Sequence, residues 1–354
     1  MAMVRVHPAL GRPEAPLCSV CIAHYQGPEL IAACIDSVLQ QDCEFTVEII
    51  VHDDASPDES VDFLRANYPQ VELLASKENV GFCVSNKRMV AHARGKYILL
   101  LNNDAALFSD ALTTLAREAE QQNPPGILTL PQYDWESGDL VDRGCLLDPF
   151  YNPVPNLDPE RRDVAMVIGA CLWIERETWD RLGGFPEWFG SVGEDLYLCC
   201  AARLWALPVE AIPESGYRHR QGHSFGGNKP KDGRLSSSYN RRIMSERNKT
   251  FTLYVMTPTA LVWPLLIIHL LLLTVEGLAL SVLRLNFSVA SRIYFNVYRE
   301  LFGNLNQLRH KRQIFQNNKN GLLRDYFGTS TVIPHKLSML RRYGVPKINV
   351  GAKS

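Results

Sequence analysis

The stretch Lys96-Tyr97-Ile98-Leu99-Leu100-Leu101-Asn102-Asn103-Asp104 constrains the fold of this chain more than any other. Its apolar half is too short to cross a bilayer, follows Gly95, and stops abruptly on two amides and a carboxylate. This pattern predicts a buried central strand of a parallel sheet, delivering polar groups to a ligand at its C-terminal end. Taken alone, Asn-Asn-Asp also reads as a plain strand-to-helix turn, with Ser109 available to cap the next helix. A second run, Val47 to His52, shifts the balance, because it too ends on acids, Asp53 and Asp54. After it, Ser56-Pro57-Asp58-Glu59 predicts a helix start, with Ser56 as N-cap, Pro57 at the first helical position and Glu59 closing a capping box.

The same alternation runs through the first part of the chain. Leu17–Ala23 is followed by a helix over Pro28–Gln40, Val47–His52 by one over Pro57–Asn67, Val71–Ala75 by one over Phe82–Arg94, and Lys96–Leu101 by one over Ser109–Gln121. Strand-helix units at this spacing imply an α/β fold around a mostly parallel sheet. Neither GxGxxG nor a Walker A sequence is present, which demotes dehydrogenase and P-loop readings. From Tyr133 to Asp163, four prolines among acidic residues predict a long loop. Val164–Ile174 then reads as a strand and Glu175–Leu182 as a helix ended by Gly183-Gly184-Phe185. Gly193-Glu194-Asp195 opens a helix towards Leu204, with both acids in its first turn, where the helix dipole alone can account for them. Short strands over Val209–Ile212 and Ser215–Arg218 lead to His219-Arg220-Gln221-Gly222-His223-Ser224.

Net charge conceals a division. Residues 284–354 hold 13 Lys+Arg against 2 Asp+Glu, so the formal net charge of −1 for the 354 residues hides an acidic body and a basic tail. Between them, Thr250 to Val275 contains no charged side chain, a run longer than the ~20 residues that span a bilayer. Pro258, Pro264 and His269 interrupt it, and basic residues flank it on both sides, which favours a re-entrant or interfacial helical pair over a single crossing, with an even number of crossings as the runner-up. A soluble helical dimer interface is the alternative, so a homodimer stays open. The basic tail carries no nucleic-acid-binding motif, and nucleic acid is not expected as a partner. Nine cysteines, an odd number scattered through apolar segments, point to a reducing compartment, and Cys18-x-x-Cys21 lies within a strand, where core packing is preferred to zinc.

In order along the chain, several motifs resemble those of the family 2 nucleotide-sugar glycosyltransferases. Ser19 to Gln26 is similar to the family's opening strand and Tyr-containing loop, Asp53-Asp54-Ala55-Ser56 to its acidic strand end, and Asn79-Val80-Gly81-Phe82 with Asn86 to its Asn-x-Gly-Phe turn. Leu100-Leu101-Asn102-Asn103-Asp104 resembles a variant of the DxD motif. Gly169-Ala170, Gly183-Gly184-Phe185, Glu194-Asp195 and His219 to Ser224 match later family elements. The chain departs from the family at Asn102, which leaves Asp104 as the motif's only charge, and along Glu194 to Ala201, where an acid and an Arg are missing.

The resemblance implies a GT-A fold, inverting transfer and a divalent cofactor, Mg²⁺ or Mn²⁺. It implies Asp195 as general base, Asp104 and His219 as metal ligands, and Asp54 at the nucleotide base. Tyr25, Asn79, Gly81, Asn86, Asn103, Gly169, Ala170 and Glu194 would complete the substrate surface. The expected organisation is a leader over 1–16, a GT-A domain over 17–240 and a C-terminal helical membrane-associating region with a basic tail over 241–354. The expected partners are a nucleotide-sugar donor, UDP- or dTDP-linked, a glycan or lipid-linked acceptor, and the cytoplasmic face of a membrane. Resemblance to rhamnosyltransferase-like members puts dTDP-rhamnose first among donors. A sugar nucleotidyltransferase and a non-catalytic nucleotide-binding membrane scaffold are the competing readings. The former needs a Gly-rich basic phosphate loop after the first strand, and His24-Tyr25-Gln26-Gly27 is not one.

Overall fold

In the computed structural model, which describes residues 4–221, 236–345 and 347–349, the Lys96–Asp104 run becomes a strand over Tyr97–Asn102, buried from Tyr97 through Leu101. In chain order the elements up to the acidic helix are β1 (Val4–His7), β2 (Cys18–His24), α1 (Pro28–Leu39), β3 (Val47–Asp53), α2 (Ser60–Asn67), β4 (Glu72–Ser76), α3 (Phe82–His92), β5 (Tyr97–Asn102), β6 (Ala105–Leu107), α4 (Ala111–Gln121), β7 (Ile127–Thr129), β8 (Gln132–Asp134), β9 (Leu140–Asp142), β10 (Cys145–Leu147), β11 (Pro153–Pro155), β12 (Cys171–Glu175), α5 (Arg176–Leu182) and α6 (Glu194–Leu204). They are followed by β13 (Val209–Ala211), β14 (Tyr217–His219), β15 (Ser236–Ser238), α7 (Tyr239–Met256), α8 (Val262–Leu283), a π-helical turn over Ala290–Tyr294, α9 (Phe295–Gly303), α10 (Leu305–Asn317), α11 (Leu323–Phe327), α12 (His335–Tyr343) and β16 (Lys347–Asn349). Two compact units result, one of residues 1–145, 155–199 and 207–221, the other of 146–154, 200–206 and 222–354.

The first unit is built on an eight-stranded sheet of order β1-β4-β3-β2-β5-β12-β7-β13. Strands β2 to β5 are parallel, as the strand-helix alternation predicts, whereas β12 runs antiparallel to both β5 and β7 and β1 antiparallel to β4. The sheet is therefore mixed, with a parallel centre. Val20, Ile22, Val51, Leu99 and Leu101 pack with Ile31, Ile35, Leu112 and Leu115 of the helices in one core, the largest favourable contribution to this fold. Gly95 allows a close approach at the start of β5, since a Cβ there would lie 2.6 Å from the Ser19 amide nitrogen. Ahead of β2, Arg12 ties residues 4–12 to the sheet, its guanidinium 2.8 Å from Glu48 and 3.0 Å from Glu72.

A smaller sheet, β6-β14-β8-β9, lies in the same unit. Its strands run to three residues each, too short to show a periodicity, and β8 and β9 occupy part of the segment expected to be a long loop. Two helix starts also differ from expectation. Helix α2 begins at Ser60 rather than Pro57, because Asp58 Oδ1 accepts from both the amide and the hydroxyl of Ser60, while Ser56 Oγ instead accepts from the Gln26 amide. Helix α4 begins at Ala111, with Asp110 rather than Ser109 at its N-cap position. Cys18 and Cys21 are both buried and free in β2, and burial pushes both thiols up.

The second unit is helical. Charged groups packed between its helices form a chain, Glu246 and Lys249 buried and the others half-buried: Lys336 of α12 lies 2.6 Å from Glu246 of α7 and 2.7 Å from Glu276 of α8. Arg242 of α7 reaches the other oxygen of Glu276 and the hydroxyl of Tyr294, and Lys249 pairs with Glu246 at 2.7 Å. Such a network holds only because opposite charges and hydrogen bonds meet in one place. Tyr151 joins the end of α7 to α11, its hydroxyl within 2.8 Å of Thr257 and 2.9 Å of Tyr326. On α8, His269, Leu273, Gly277 and Leu280 face inward, while Trp263, Ile267, Leu271, Val275 and Val282 stay exposed.

Candidate active site

Three strand ends carry the polar groups of the first unit. At the end of β5, Asp104 is buried just before the chain turns into β6, and β6 pairs antiparallel with β14 so that Ala105 lies opposite His219. That register brings His219 Nε2 to 3.0 Å from Asp104 Oδ1. Asn102 Nδ2 is 3.4 Å from the same imidazole nitrogen, and Asn102 Oδ1 is buried without a hydrogen-bond partner. The two expected metal ligands are thus in contact, although 115 residues separate them in sequence.

On the other side of the imidazole, His219 Nδ1 is 3.0 Å from Oε1 of Gln132, which also accepts from the Tyr217 hydroxyl at 3.0 Å. Gln132 Nε2 donates to Asp142 Oδ2 at 3.2 Å, and Asp142 Oδ1 accepts from the Gly144 amide. Burial pushes the Asp142 carboxyl up to about 7, against the Gly144 hydrogen bond and the His219 charge. Sequence reasoning missed Gln132 and Asp142, which fall in a stretch without strand periodicity. Only Pro131-Gln132-Tyr133-Asp134, polar residues next to an apolar run, marked the place.

At the end of β3, the Asp54 carboxylate accepts from the amides of Val80 and Gly81 at 2.7 and 2.9 Å. It fastens the Asn79–Phe82 turn to the sheet, and burial raises its pKa against those two bonds. Gly81 has φ +84°, and a Cβ there would lie 3.2 Å from the Gly190 carbonyl oxygen. Asn79 is exposed, while Asn86 is buried and donates to the Phe82 carbonyl. Beside Asp54, Asp53 is buried with Oδ2 unpartnered, a candidate that the paired acids of the sequence already signalled. At the end of β2, His24 is a buried strand residue. It holds Asn103 at 3.0 Å and Ser60 at 2.9 Å, and burial lowers its pKa to about 4, so it is neutral there. Tyr25 next to it is exposed. Left-handed backbone at Gln26 and Ala55, both with φ near 60°, concentrates strain at this edge of the sheet, where functional sites often hold it.

The expected base is held next to β5. Asp195 Oδ2 accepts from the Gly169 amide at 3.1 Å, Oδ1 bonds the Leu196 amide at 2.7 Å, and the Ala170 carbonyl accepts from the Asn102 amide at 3.1 Å. Glu194 is buried beside it, at the start of α6. Gly222, His223 and Ser224 of the late motif lie outside the described residues.

As a metal site, the donor set is one carboxylate and one imidazole nitrogen, with the Asn102 side chain beside the imidazole. Among the described residues no group of three or more His, Cys, Asp or Glu could hold an ion. This set fits a cation that accepts oxygen ligands and keeps waters or phosphates in its remaining positions, as Mg²⁺ and Mn²⁺ do, rather than an all-protein cage.

The comparisons agree with this geometry. Residues 19–180 match the model described as Glycosyl transferase family 2. Chondroitin synthase of Escherichia coli is 28% identical over 189 residues, and hyaluronan synthase of Pasteurella multocida is 30% identical over 189. Each alignment covers 52% of this chain but only 26% and 19% of those relatives. The N-acetylglucosaminyl-diphospho-decaprenol L-rhamnosyltransferase of Mycobacterium tuberculosis is 23% identical over 220 residues, covering 52% of this chain and 69% of the relative. Among solved structures, GalNAc-T7 with UDP, GalNAc and Mn²⁺ aligns with a TM-score of 0.55 at 14% identity, over 68% of this chain and 48% of that one. The parallel-centred sheet and these matches together show that residues 19–180 are similar to the family 2 glycosyl transferases, on a GT-A fold.

Proposed function

We propose that this chain is an inverting glycosyltransferase that moves a sugar from a UDP- or dTDP-linked donor to a glycan or lipid-linked acceptor in cell-envelope polysaccharide synthesis. The observation that carries the reading is the contact of Asp104 with His219 at the end of β5, linked by the Asn102–Ala170 backbone bond to the segment that holds Asp195. In this reading Asp195 takes the proton of the acceptor hydroxyl as that oxygen attacks the anomeric carbon. Its two backbone hydrogen bonds fix the direction of the carboxylate before the acceptor arrives. Asp104 and His219 would hold Mg²⁺ or Mn²⁺, with the Asn102 side chain beside the imidazole. When bound, the cation supplies positive charge to the departing diphosphate. Tyr25, Asp54, Asn79, Gly81, Asn86, Asn103, Gly169, Ala170 and Glu194 are assigned to the donor and acceptor surface, Asp54 at the base.

The relatives' names support the reading in parts. Two are synthases of glycans, one acts on a diphospho-decaprenol-linked sugar, and GalNAc-T7 was solved with UDP and Mn²⁺. A membrane-bound acceptor fits the second unit. Helix α8, long and apolar enough to cross a bilayer, shares its inner face with α7 through the Arg242–Glu276 and Thr250–His269 contacts. Helix α7 carries Arg241, Arg242, Glu246, Arg247 and Lys249, and hydrocarbon does not accept such a helix. The arrangement supports α8 lying along the cytoplasmic face of the membrane, apolar side down.

The deciding experiment is a screen of UDP-, dTDP- and GDP-sugars with Mn²⁺ for binding and turnover, dTDP-rhamnose first. Asp104→Ala should weaken Mn²⁺-dependent donor binding by about tenfold or more, and His219→Ala by less, since water replaces one ligand. Full activity in excess EDTA would remove the metal from the reading. A donor that binds without hydrolysis or transfer to any acceptor would favour a nucleotide-binding scaffold.

A further inference from the structure

The contacts of Gln132 go beyond any role assigned so far. Its side chain is fully buried and every polar atom of it is used: Oε1 accepts from the Tyr217 hydroxyl and faces His219 Nδ1, both at 3.0 Å, and Nε2 donates to Asp142 Oδ2. We propose that Gln132 is a positioning residue that fixes His219 in the Nδ1-protonated tautomer, so that the Nε2 lone pair stands beside the Asp104 carboxylate for a divalent cation. The inference rests on the reading of Asp104 and His219 as the cation-holding pair.

With Asp142 ionised, the amide has one satisfactory orientation: a carboxylate accepts and does not donate, so it faces the NH₂ group. A tyrosine hydroxyl facing the amide oxygen must donate to it. The oxygen left towards His219 therefore requires a proton on Nδ1, and which ring nitrogen binds a metal is set by the bond the other makes. One observation on the far side agrees: Asn102 Nδ2, a donor, is the amide atom 3.4 Å from Nε2. Nε2 and Asp104 Oδ1 lie 3.0 Å apart in a buried spot, so in this tautomer the contact is kept only by a cation or by a proton on the Asp104 carboxyl.

The network makes a specific demand on its outermost member. In Asp142→Asn, one amide oxygen still accepts from Gly144, but the NH₂ now faces Gln132. Gln132 must turn its own oxygen to meet it, which presents NH₂ to Nδ1, moves the imidazole proton to Nε2 and points it at Asp104. In the double variant Gln132→Glu/Asp142→Asn, the carboxylate at 132 accepts from the new amide with one oxygen and from His219 Nδ1 and Tyr217 with the other. The net charge is that of the native protein, with the two groups exchanged.

The test uses the full chain and two readouts. The first is the ¹⁵N resonance of His219 Nδ1 in metal-free protein, expected protonated in the native chain and in the double variant, and unprotonated in Asp142→Asn. The second is Mn²⁺ affinity in the presence of UDP, followed by the electron paramagnetic resonance of free Mn²⁺. Asp142→Asn should weaken it by about 10–100-fold, the usual size of such outer-ligand effects, and the double variant should recover to within about threefold. An unprotonated Nδ1 in the native chain overturns the proposal outright, with no variant needed. So does a folded double variant that fails to recover, or an Asp142→Asn variant that behaves as native in both readouts. If the native chain and Asp104→Asn bind Mn²⁺ equally poorly, the cation-holding pair is wrong, and the metal-free resonance still decides what Gln132 does to His219.

Discussion

Asp195 and Glu194 stand side by side at the start of α6, and the amides of Gly169 and Leu196 donate to the Asp195 carboxylate and aim it. Asp195→Asn keeps the shape and removes the proton acceptor, so turnover should fall by about 10²-fold or more while donor affinity, measured by calorimetry, changes little. Near-native turnover, or an equal loss in Glu194→Gln alone, would move the base elsewhere. His24 offers a test by pH. Its folded pKa is about 4, below the unfolded value of ~6.5, so the unfolded chain binds more protons between those values. Stability from this group is fully present above pH ~6.5 and is lost as pH falls towards 4, by ~3 kcal/mol at most. Urea unfolding at pH 7 and pH 5 should show a larger acid loss for the native chain than for His24→Gln. An equal loss would assign the effect to other groups, His52 first, which burial and Arg88 also lower to about 4. At this scale the sequence was readable where an acid or amide ends an apolar run, as at Asp54 and Asp104. It was silent on Gln132, since an interior glutamine is recognised only by the partners the fold brings to it.

The longer strands β2, β3 and β5 were legible because burial on both faces writes a continuous apolar run. The three-residue strands β6 and β8 carry no such record, though their pairing with β14, expected over Ser215–Arg218, sets His219 against Asp104. The direction of β12 was equally hidden, since the residues Cys-Leu-Trp-Ile suit either direction; antiparallel pairing to β5 sets it. Helix starts moved by two or three residues: at α2, Asp58 rather than the expected Ser56 accepts from the first amide, and at α4, Asp110 rather than Ser109 takes the N-cap position. The attachment of β1 yields a prediction about stability. Arg12 is the cation between Glu48 and Glu72, both buried. Arg12→Ala should cost about 3 kcal/mol in unfolding free energy, the scale expected when one partner of a buried pair is removed. Arg12→Lys should recover only part of it, since an ammonium cannot reproduce the fork that spans both acids and the His92 carbonyl. A change below about 0.5 kcal/mol in Arg12→Ala would mean that β1 is held by its backbone pairing alone.

Over the whole chain, the separation of an acidic body from a basic, apolar C-terminal region was plain in composition, whereas the assignment of 146–154 and 200–206 to the second unit was not. Those stretches are short and irregular, and tertiary partners such as Thr257 and Tyr326 for Tyr151 decide where they belong. Burial of the exposed side of α8 contributes ~25 cal/mol per Å², against ~1 kcal/mol for each basic residue near an anionic surface. High salt should therefore leave the full chain in the membrane fraction, and detergent should release it. Leu271→Lys with Val275→Lys, at positions 61% and 63% exposed, should shift it to the soluble fraction without lowering its melting temperature. A native chain that is soluble without detergent, as a stable dimer, would assign the apolar face to a second copy. The lysine that closes the charge network also dates the completion of this unit during synthesis. Glu276 waits for Lys336, sixty residues further on, which at ~5–20 residues per second is several seconds of translation. Through that interval α8 is present with its acid only partly compensated, so the ribosome delivers the apolar helix before the fold can claim it, and whatever first receives that helix in the cell acts ahead of the chain's own last residues.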